Sequence, residues 1–260
     1  MREKRVVGIV SGKGGVGKST ISVNLSALMS EHNLSILLID SDIGNPCVGV
    51  HLGIWQHTAG LQDALAGKAK PEQLIISHPA TGIRVLPASL QYKHASMDNL
   101  KDIVSKIEGF EIIVIDSPPG ITEEVEAIID ACTDLVVVTT ADLPSVSSAT
   151  KIVELARGKN KHVIGIALNR VISKKYELHP REIEAMTDCR LLTIIPEDRA
   201  VPESIGAGIP LVLYRRSSDA SLKMVELAGQ VSAYCGIREG YSQMGIIQRL
   251  LLAIRRILPI

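Results

Sequence analysis

Residues 11–20 read Ser11-Gly12-Lys13-Gly14-Gly15-Val16-Gly17-Lys18-Ser19-Thr20. Glycines at this density let successive backbone N–H groups converge on one point. A helix starting at that point adds its partial positive charge, and together they form a cradle for phosphate oxygens. The spacing G-x-x-x-x-G-K-[ST] runs from Gly12 to Ser19. In that arrangement the backbone of Gly12, Lys13, Gly14, Gly15, Val16 and Gly17 wraps the phosphates. Lys18 reaches the β- and γ-phosphates, the Ser19 hydroxyl ligates Mg²⁺, and Thr20 sits near the α-phosphate. The chemistry is that of a nucleotide polyphosphate.

Two carboxylate-bearing strand ends could complete such a site. Ile39-Asp40-Ser41-Asp42 closes one apolar run, and Ile112-Ile113-Val114-Ile115-Asp116 closes another. Ligands of a parallel sheet gather at the C-terminal ends of its strands, so Asp40, Asp42 and Asp116 can face the nucleotide. An apolar strand ending in aspartate suits Asp116 to hold Mg²⁺ through a water ligand. Asp40-Ser41-Asp42 also reads as ordinary turn chemistry.

These residues need a scaffold that alternates strands and helices. Strands are predicted at Arg5–Val10, Ser35–Ile39, Ile83–Leu86, Glu111–Ile115, Leu135–Thr139, Val163–Leu168 and Leu191–Ile195. Helices are predicted at Ser19–Glu31, Met97–Glu108, Thr122–Ala131, Ser145–Arg157, Pro202–Ala207 and Asp219–Tyr234. Several strands are apolar on consecutive residues, which fits burial on both faces. The expected fold is α/β: a mostly parallel twisted sheet with helices on both faces, in one domain over residues 1–240. A 46% hydrophobic content gives it ample core, built on Ile, Val, Leu and Ala because aromatics make up only 3%. The 28 basic and 28 acidic side chains balance, which argues against a dedicated nucleic-acid binder. Cys47, Cys132, Cys189 and Cys235 form no CxxC pair and read as reduced thiols. No apolar run has the length of a membrane span, and Val6–Val10 is too short for a signal-peptide core, so a cytoplasmic protein is expected.

Lys13 carries the most specific sequence signal. The string Lys13-Gly14-Gly15-Val16-Gly17-Lys18-Ser19-Thr20 resembles the deviant Walker A box of the MinD/ParA/Mrp/nitrogenase-iron-protein class of P-loop ATPases. The resemblance implies an ATP-sandwich homodimer in which Lys13 contacts the nucleotide of the partner subunit, with ATP and Mg²⁺ as ligands. It gives Lys13, Lys18 and Asp42 the catalytic roles, Asp42 by positioning the attacking water, and gives Asp40 a place in the Mg²⁺ shell beside Ser19 and Asp116. Ser117-Pro118-Pro119-Gly120 resembles the second switch, whose backbone senses the γ-phosphate. Asn169 and Arg170, with Pro196, Glu197 and Asp198, resemble the adenine pocket of MinD-type proteins. The first switch, Asp42-Ile43-Gly44-Asn45-Pro46-Cys47, departs from MinD by lacking an Asn near position 47. Its proline resembles Mrp-type proteins, as does Pro118-Pro119-Gly120.

Residues 241–260 form a separate unit. After the polar connector Tyr241–Gly245, a helical pattern groups Ile246, Ile247, Leu250, Leu251, Ile254, Ile257 and Leu258 on one arc. Arg249, Arg255 and Arg256 lie on the other, and the segment has no Asp or Glu. The expected element is an amphipathic helix that lies on an anionic membrane surface, as the resemblance to MinD also implies. The expected function is a MinD-like ATPase acting in spatial regulation of cell division, reversibly peripheral at the inner face of the cell membrane and answering to a protein regulator. Alternatives are an Mrp-like iron–sulfur carrier, which would need a cysteine pair, a ParA-like partitioning ATPase, or a flagellum-positioning relative.

Overall fold

Ile112, Ile113, Val114 and Ile115 are apolar in succession because both faces of their strand are covered. Ile113 and Ile115 enter one core layer, and Ile112 and Val114 enter the other. The same alternation sends Val6 and Val10 to one side, Val7 and Ile9 to the other. A strand with no solvent face needs no polar alternation. The computed structural model describes residues 4–31, 34–54, 57–79, 81–91 and 95–237. The expected C-terminal helix, with Ile246, Ile247, Arg249, Leu250, Leu251, Ile254, Arg255, Arg256, Ile257 and Leu258, lies outside the described residues.

In chain order the first half holds β1 (Arg5–Val10), α1 (Lys18–Glu31), β2 (Ile36–Asp40), α2 (Val48–His51), α3 (Leu61–Leu65) and α4 (Pro71–Leu74). Next come β3 (Ile76–Ser77), β4 (Arg84–Leu86), α5 (Leu100–Lys106), β5 (Ile112–Asp116), α6 (Glu123–Ala131) and β6 (Asp134–Thr139). The remainder is α7 (Leu143–Gly158), β7 (His162–Val171), α8 (Pro180–Thr187), β8 (Leu191–Pro196), α9 (Ala200–Gly206), α10 (Leu211–Tyr214) and α11 (Asp219–Tyr234).

The strands form one sheet in the order β3-β4-β2-β5-β1-β6-β7-β8. Each neighbouring pair is parallel except β3–β4, which is antiparallel. Helices α1, α10 and α11 cover one face, with Leu25, Leu28, Met224, Leu227 and Val231 among the packed residues. Helices α5, α6, α7 and α8 cover the other, through Val104, Ile128, Ile152 and Ile183.

The predicted strands and long helices occur where periodicity placed them, and capping corrects their ends. The Asp142 carboxylate accepts the Ser145 N–H, so α7 begins at Leu143 rather than Ser145. Helices α2, α3, α4 and α10 and the two-residue β3 were not anticipated, since elements this short hold too few turns or alternations to repeat a pattern. Helix α8 buries only Ile183 and Thr187, too few to draw a stripe.

Candidate functional site

Strand β1 lies in the middle of the sheet, and the loop leaving it leads directly into α1. Two glycines in this loop are fixed by close approach. A Cβ on Gly12 would lie 2.5 Å from the Ser148 carbonyl oxygen of α7. One on Gly17, whose φ is +94°, would lie 2.2 Å from Asn169 Nδ2. The loop is thus pressed between the start of α7 and the end of β7. Asn169 is buried and donates from Nδ2 to the Val16 carbonyl at 2.8 Å. Arg170 donates from Nη1 to the Gly15 carbonyl at 2.9 Å, while its Nε binds Glu197 Oε2 at 2.8 Å. These side chains brace the phosphate loop from the side where the sequence reading put an adenine base.

Pro196 ends β8, paired with Val171. Asp198, placed in the same pocket by the sequence reading, turns elsewhere: its oxygens accept the Ala200 N–H at 2.8 Å and the Ala220 N–H at 3.3 Å, capping α9 and α11. Its carboxylate is occupied by helix ends, and it belongs to the domain's framework.

Strand pairing sets the carboxylates. Asp40 of β2 and Asp116 of β5 are register partners at the C-terminal ends of adjacent strands, and Ile9 of β1 pairs with Asp116. Both side chains are fully buried. Asp40 accepts the Cys47 and Val48 N–H groups on Oδ2 at 3.1 and 3.0 Å, and that of Asp42 on Oδ1 at 3.2 Å. Burial and the neighbouring Asp116 hold its carboxyl well above the usual range, against the pull of those backbone donors. Asp116 accepts from the Ser22 hydroxyl at 2.8 Å on Oδ1. Its Oδ2 is buried without a hydrogen-bond partner of good geometry, although the Ser19 hydroxyl is close enough to favour the anion. Burial pushes Asp116 up to about 6, against Ser19, Ser22 and Lys18.

Lys18, at the first turn of α1, is almost wholly covered. Burial lowers its pKa, opposed by Asp116, Asp42 and Cys47, which identifies the acids around it. Asp42 is partly exposed and accepts the Asn45 N–H at 3.0 Å on Oδ1. Burial raises its pKa, with Lys18 working the other way. The second switch touches the loop as well: Gly120 donates its N–H to the Ser11 carbonyl at 3.1 Å.

Two buried carboxylates side by side, one oxygen of them without a partner of good geometry, beside a serine hydroxyl make an all-oxygen donor set for a hard divalent cation. Ser19, Asp40 and Asp116 would hold Mg²⁺ here, and its charge would relieve the repulsion that raises both aspartates. The residues present fit the ion.

Lys13 points away from all of this. It is 48% exposed and pairs at 3.1 Å with Asp142 Oδ1 on the outer rim. Burial works to raise Asp142, yet hydrogen bonds from Thr140, Ser145 and Lys13 hold its carboxyl far below the usual range. An open cleft of about 500 Å³ runs along this rim between Lys13, Asp142, Arg170, Tyr176 and Glu197. Sequence reading missed Asp142 and Ser22 as site residues. Asp142-Leu143-Pro144-Ser145 does carry a helix-start pattern, with proline just inside, that marks Asp142 as a cap. Nothing local marks its partnership with a lysine 129 positions earlier.

Comparison with known proteins bears on the whole of this domain. Residues 2–232 match the family model described as "ParA: NUBPL iron-transfer P-loop NTPase". An uncharacterized ATP-binding protein of Methanocaldococcus jannaschii is 31% identical, over 86% of this chain and 86% of its own. The septum site-determining protein MinD of Thermotoga maritima is 30% identical, over 80% of this chain and 81% of its own. Among solved structures, MinD complexed with Mg-ADP from Pyrococcus horikoshii superposes with a TM-score of 0.86 at 28% identity, covering 91% of this chain and 99% of that one. With Gly12–Thr20 following a central strand, and Asp40 and Asp116 beside it, the chain belongs to the MinD/ParA family of P-loop ATPases.

Proposed function

We propose that this chain is a MinD-like ATPase that dimerises on binding ATP with Mg²⁺, attaches to an anionic membrane through its C-terminal helix, and is released on hydrolysis. The family supplies the general reaction, ATP and water to ADP and phosphate. Slow turnover without an activator, the dimer, the membrane cycle and a role in positioning cell division are our extension.

The observation that carries the extension is the contrast between the two lysines of the loop. Lys18 is buried and faces the carboxylates, so it serves the chain's own phosphates. Lys13 is half-exposed on the rim, held by one solvent-exposed ion pair that contributes at most about 1 kcal/mol. It is free to reach a nucleotide held by a second copy. A second cation at the γ-phosphate would stabilise charge developing in phosphoryl transfer.

The remaining roles follow from placement. Backbone N–H groups of residues 12–17 and the start of α1 bind the phosphates. Asp42, next to Lys18, would orient the attacking water. Bound Mg²⁺ would neutralise charge on the β- and γ-phosphates. The Asn169, Arg170, Pro196 and Glu197 edge would flank the base while bracing the loop. The iron-transfer activity in the family model's description would call for a thiol pair. The sequence has no CxxC, and among the described residues no cluster of metal-ligating side chains occurs.

Liposome sedimentation with ATP, ADP or no nucleotide tests this reading, using the full chain and a chain ending at Gly240. Full-length protein should pellet with ATP and anionic vesicles, and the shortened chain should stay in solution. Equal pelleting in all three states, or pelleting of the shortened chain, would overturn it. Lys13→Ala should abolish ATP-dependent dimerisation in sedimentation velocity while retaining ADP binding.

A further inference from the structure

The helix α2 contributes one side chain to the phosphate loop that none of the roles above uses. His51 ends α2 and is largely buried. Its Nδ1 lies 2.8 Å from the Cys47 carbonyl oxygen, and its Nε2 lies 3.2 Å from Thr20 Oγ1. Cys47 and Val48 in turn donate their N–H groups to Asp40. One hydrogen-bonded line therefore runs from Thr20 on α1, through His51 and the start of α2, to the carboxylate of the metal site.

The partners decide where the protons sit. A carbonyl only accepts, so Nδ1 carries the hydrogen. Burial disfavours the cation and lowers the pKa of His51, which leaves Nε2 with a lone pair. The Thr20 hydroxyl must then donate to Nε2. It has one proton, and an α-phosphate oxygen arriving at Thr20 would need the same one.

We propose that His51 is a positioning residue that couples phosphate occupancy at Thr20 to the placement of the first switch, Asp42–Cys47, through the helix α2 that follows it. In the nucleotide-free chain the Thr20–His51 bond ties the switch to α1. A phosphate that takes the Thr20 proton breaks this tie, leaving His51 and the segment from Asp42 onward to settle into their working position. This rests on the reading of Thr20 as the α-phosphate contact and of Asp42 as the residue that orients water.

The consequence is a split between binding and turnover. His51→Leu removes the competitor for the Thr20 proton, so N-methylanthraniloyl-ADP with Mg²⁺ should bind roughly two- to tenfold tighter, the worth of one neutral hydrogen bond. The same change removes the Nδ1–H bond to the Cys47 carbonyl that places the released switch, and kcat for ATP should fall at least about fivefold. His51→Gln keeps an acceptor at the Nε2 position and should bring both values back toward wild type. In a Thr20→Val background, His51→Leu should no longer alter ADP affinity. Weaker ADP binding by His51→Leu in both backgrounds, an unchanged kcat, or no recovery with Gln would overturn the proposal.

A measurement on the unaltered chain stands beside these. Side-chain ¹⁵N NMR of His51 should show the Nδ1–H form without nucleotide and a shifted Nε2 resonance with saturating ADP. An unmoved resonance would count against the coupling whatever the variants do. Asp42→Asn separates the underlying reading: if turnover survives there while the His51–Thr20 coupling is measured, the water-orienting role fails and the coupling stands.

Discussion

At the scale of single residues, the site stores its tension in carboxylates. Asp116 is buried, pushed up to about 6, and adjacent to a second raised aspartate, Asp40. A folded-state pKa above the unfolded value means that the native chain holds more protons between about pH 4 and 6. Stability of the nucleotide- and metal-free protein therefore falls as pH rises through that window. Asp116→Asn removes the charge and keeps an acceptor for Ser22. We expect it to exceed wild type by about 1–3 kcal/mol at pH 7.5 and to lose the advantage near pH 4, as read by urea unfolding at both values. With Asp116 proposed as a Mg²⁺ ligand, the same variant should also lose the stabilisation that Mg²⁺ would give wild type. An advantage equal at both pH values would place its origin outside the carboxyl group.

Elements explain why some of this was legible in sequence and some was not. The Gly12–Thr20 motif is local: one strand end, one turn and one helix start, all within ten residues. Consecutive apolar runs such as Ile112–Ile115 fixed the buried strands for the same reason. The proximity of Asp40 to Asp116 instead depends on β2 pairing with β5 in one register across 76 positions, which no local pattern encodes. The bracing of the loop is equally remote, since Asn169 meets Val16 only because β7 ends beside it. The helix-capping role of the Asp198 carboxylate was not legible, because after a strand end ligand contacts and helix caps use the same residue type. A test belongs at this scale. Gly17→Ala would force a side chain into a left-handed backbone and against Asn169, costing about 1–3 kcal/mol. In an Asn169→Ala background the collision is relieved and the backbone cost remains, so the penalty should shrink without vanishing in a double-mutant cycle.

Taken as a whole, the molecule divides its charge unevenly. Three arginines and no acid lie in residues 240–260, so residues 1–239 carry 25 basic and 28 acidic side chains. A balanced total thus conceals a mildly acidic domain and a basic terminal segment. In the membrane cycle proposed above, three arginines near an anionic surface would contribute about 1 kcal/mol each, against the entropy of ordering the terminal segment. One copy should bind marginally, and two on one dimer gain roughly 10²-fold through effective concentration. Replacing Arg249, Arg255 and Arg256 together with Gln should weaken ATP-dependent binding to anionic vesicles by about 10²-fold per copy at low salt and flatten its salt dependence. Retained affinity and retained salt dependence would locate the membrane contact on the folded domain.

The outer strands of the sheet bear on how copies of this chain can meet. At one end β3 is two residues long and antiparallel to its neighbour. At the other, β8 closes on Pro196, and the Gln230 side chain of α11 donates to the Leu192 carbonyl. Long unpaired strand edges recruit other chains by backbone hydrogen bonding, indifferent to what either has bound. Among the described residues, the two-residue β3 and the Gln230 contact on β8 leave less bare edge for that indiscriminate route to self-association. Assembly of copies is then favoured through surfaces other than the sheet edges.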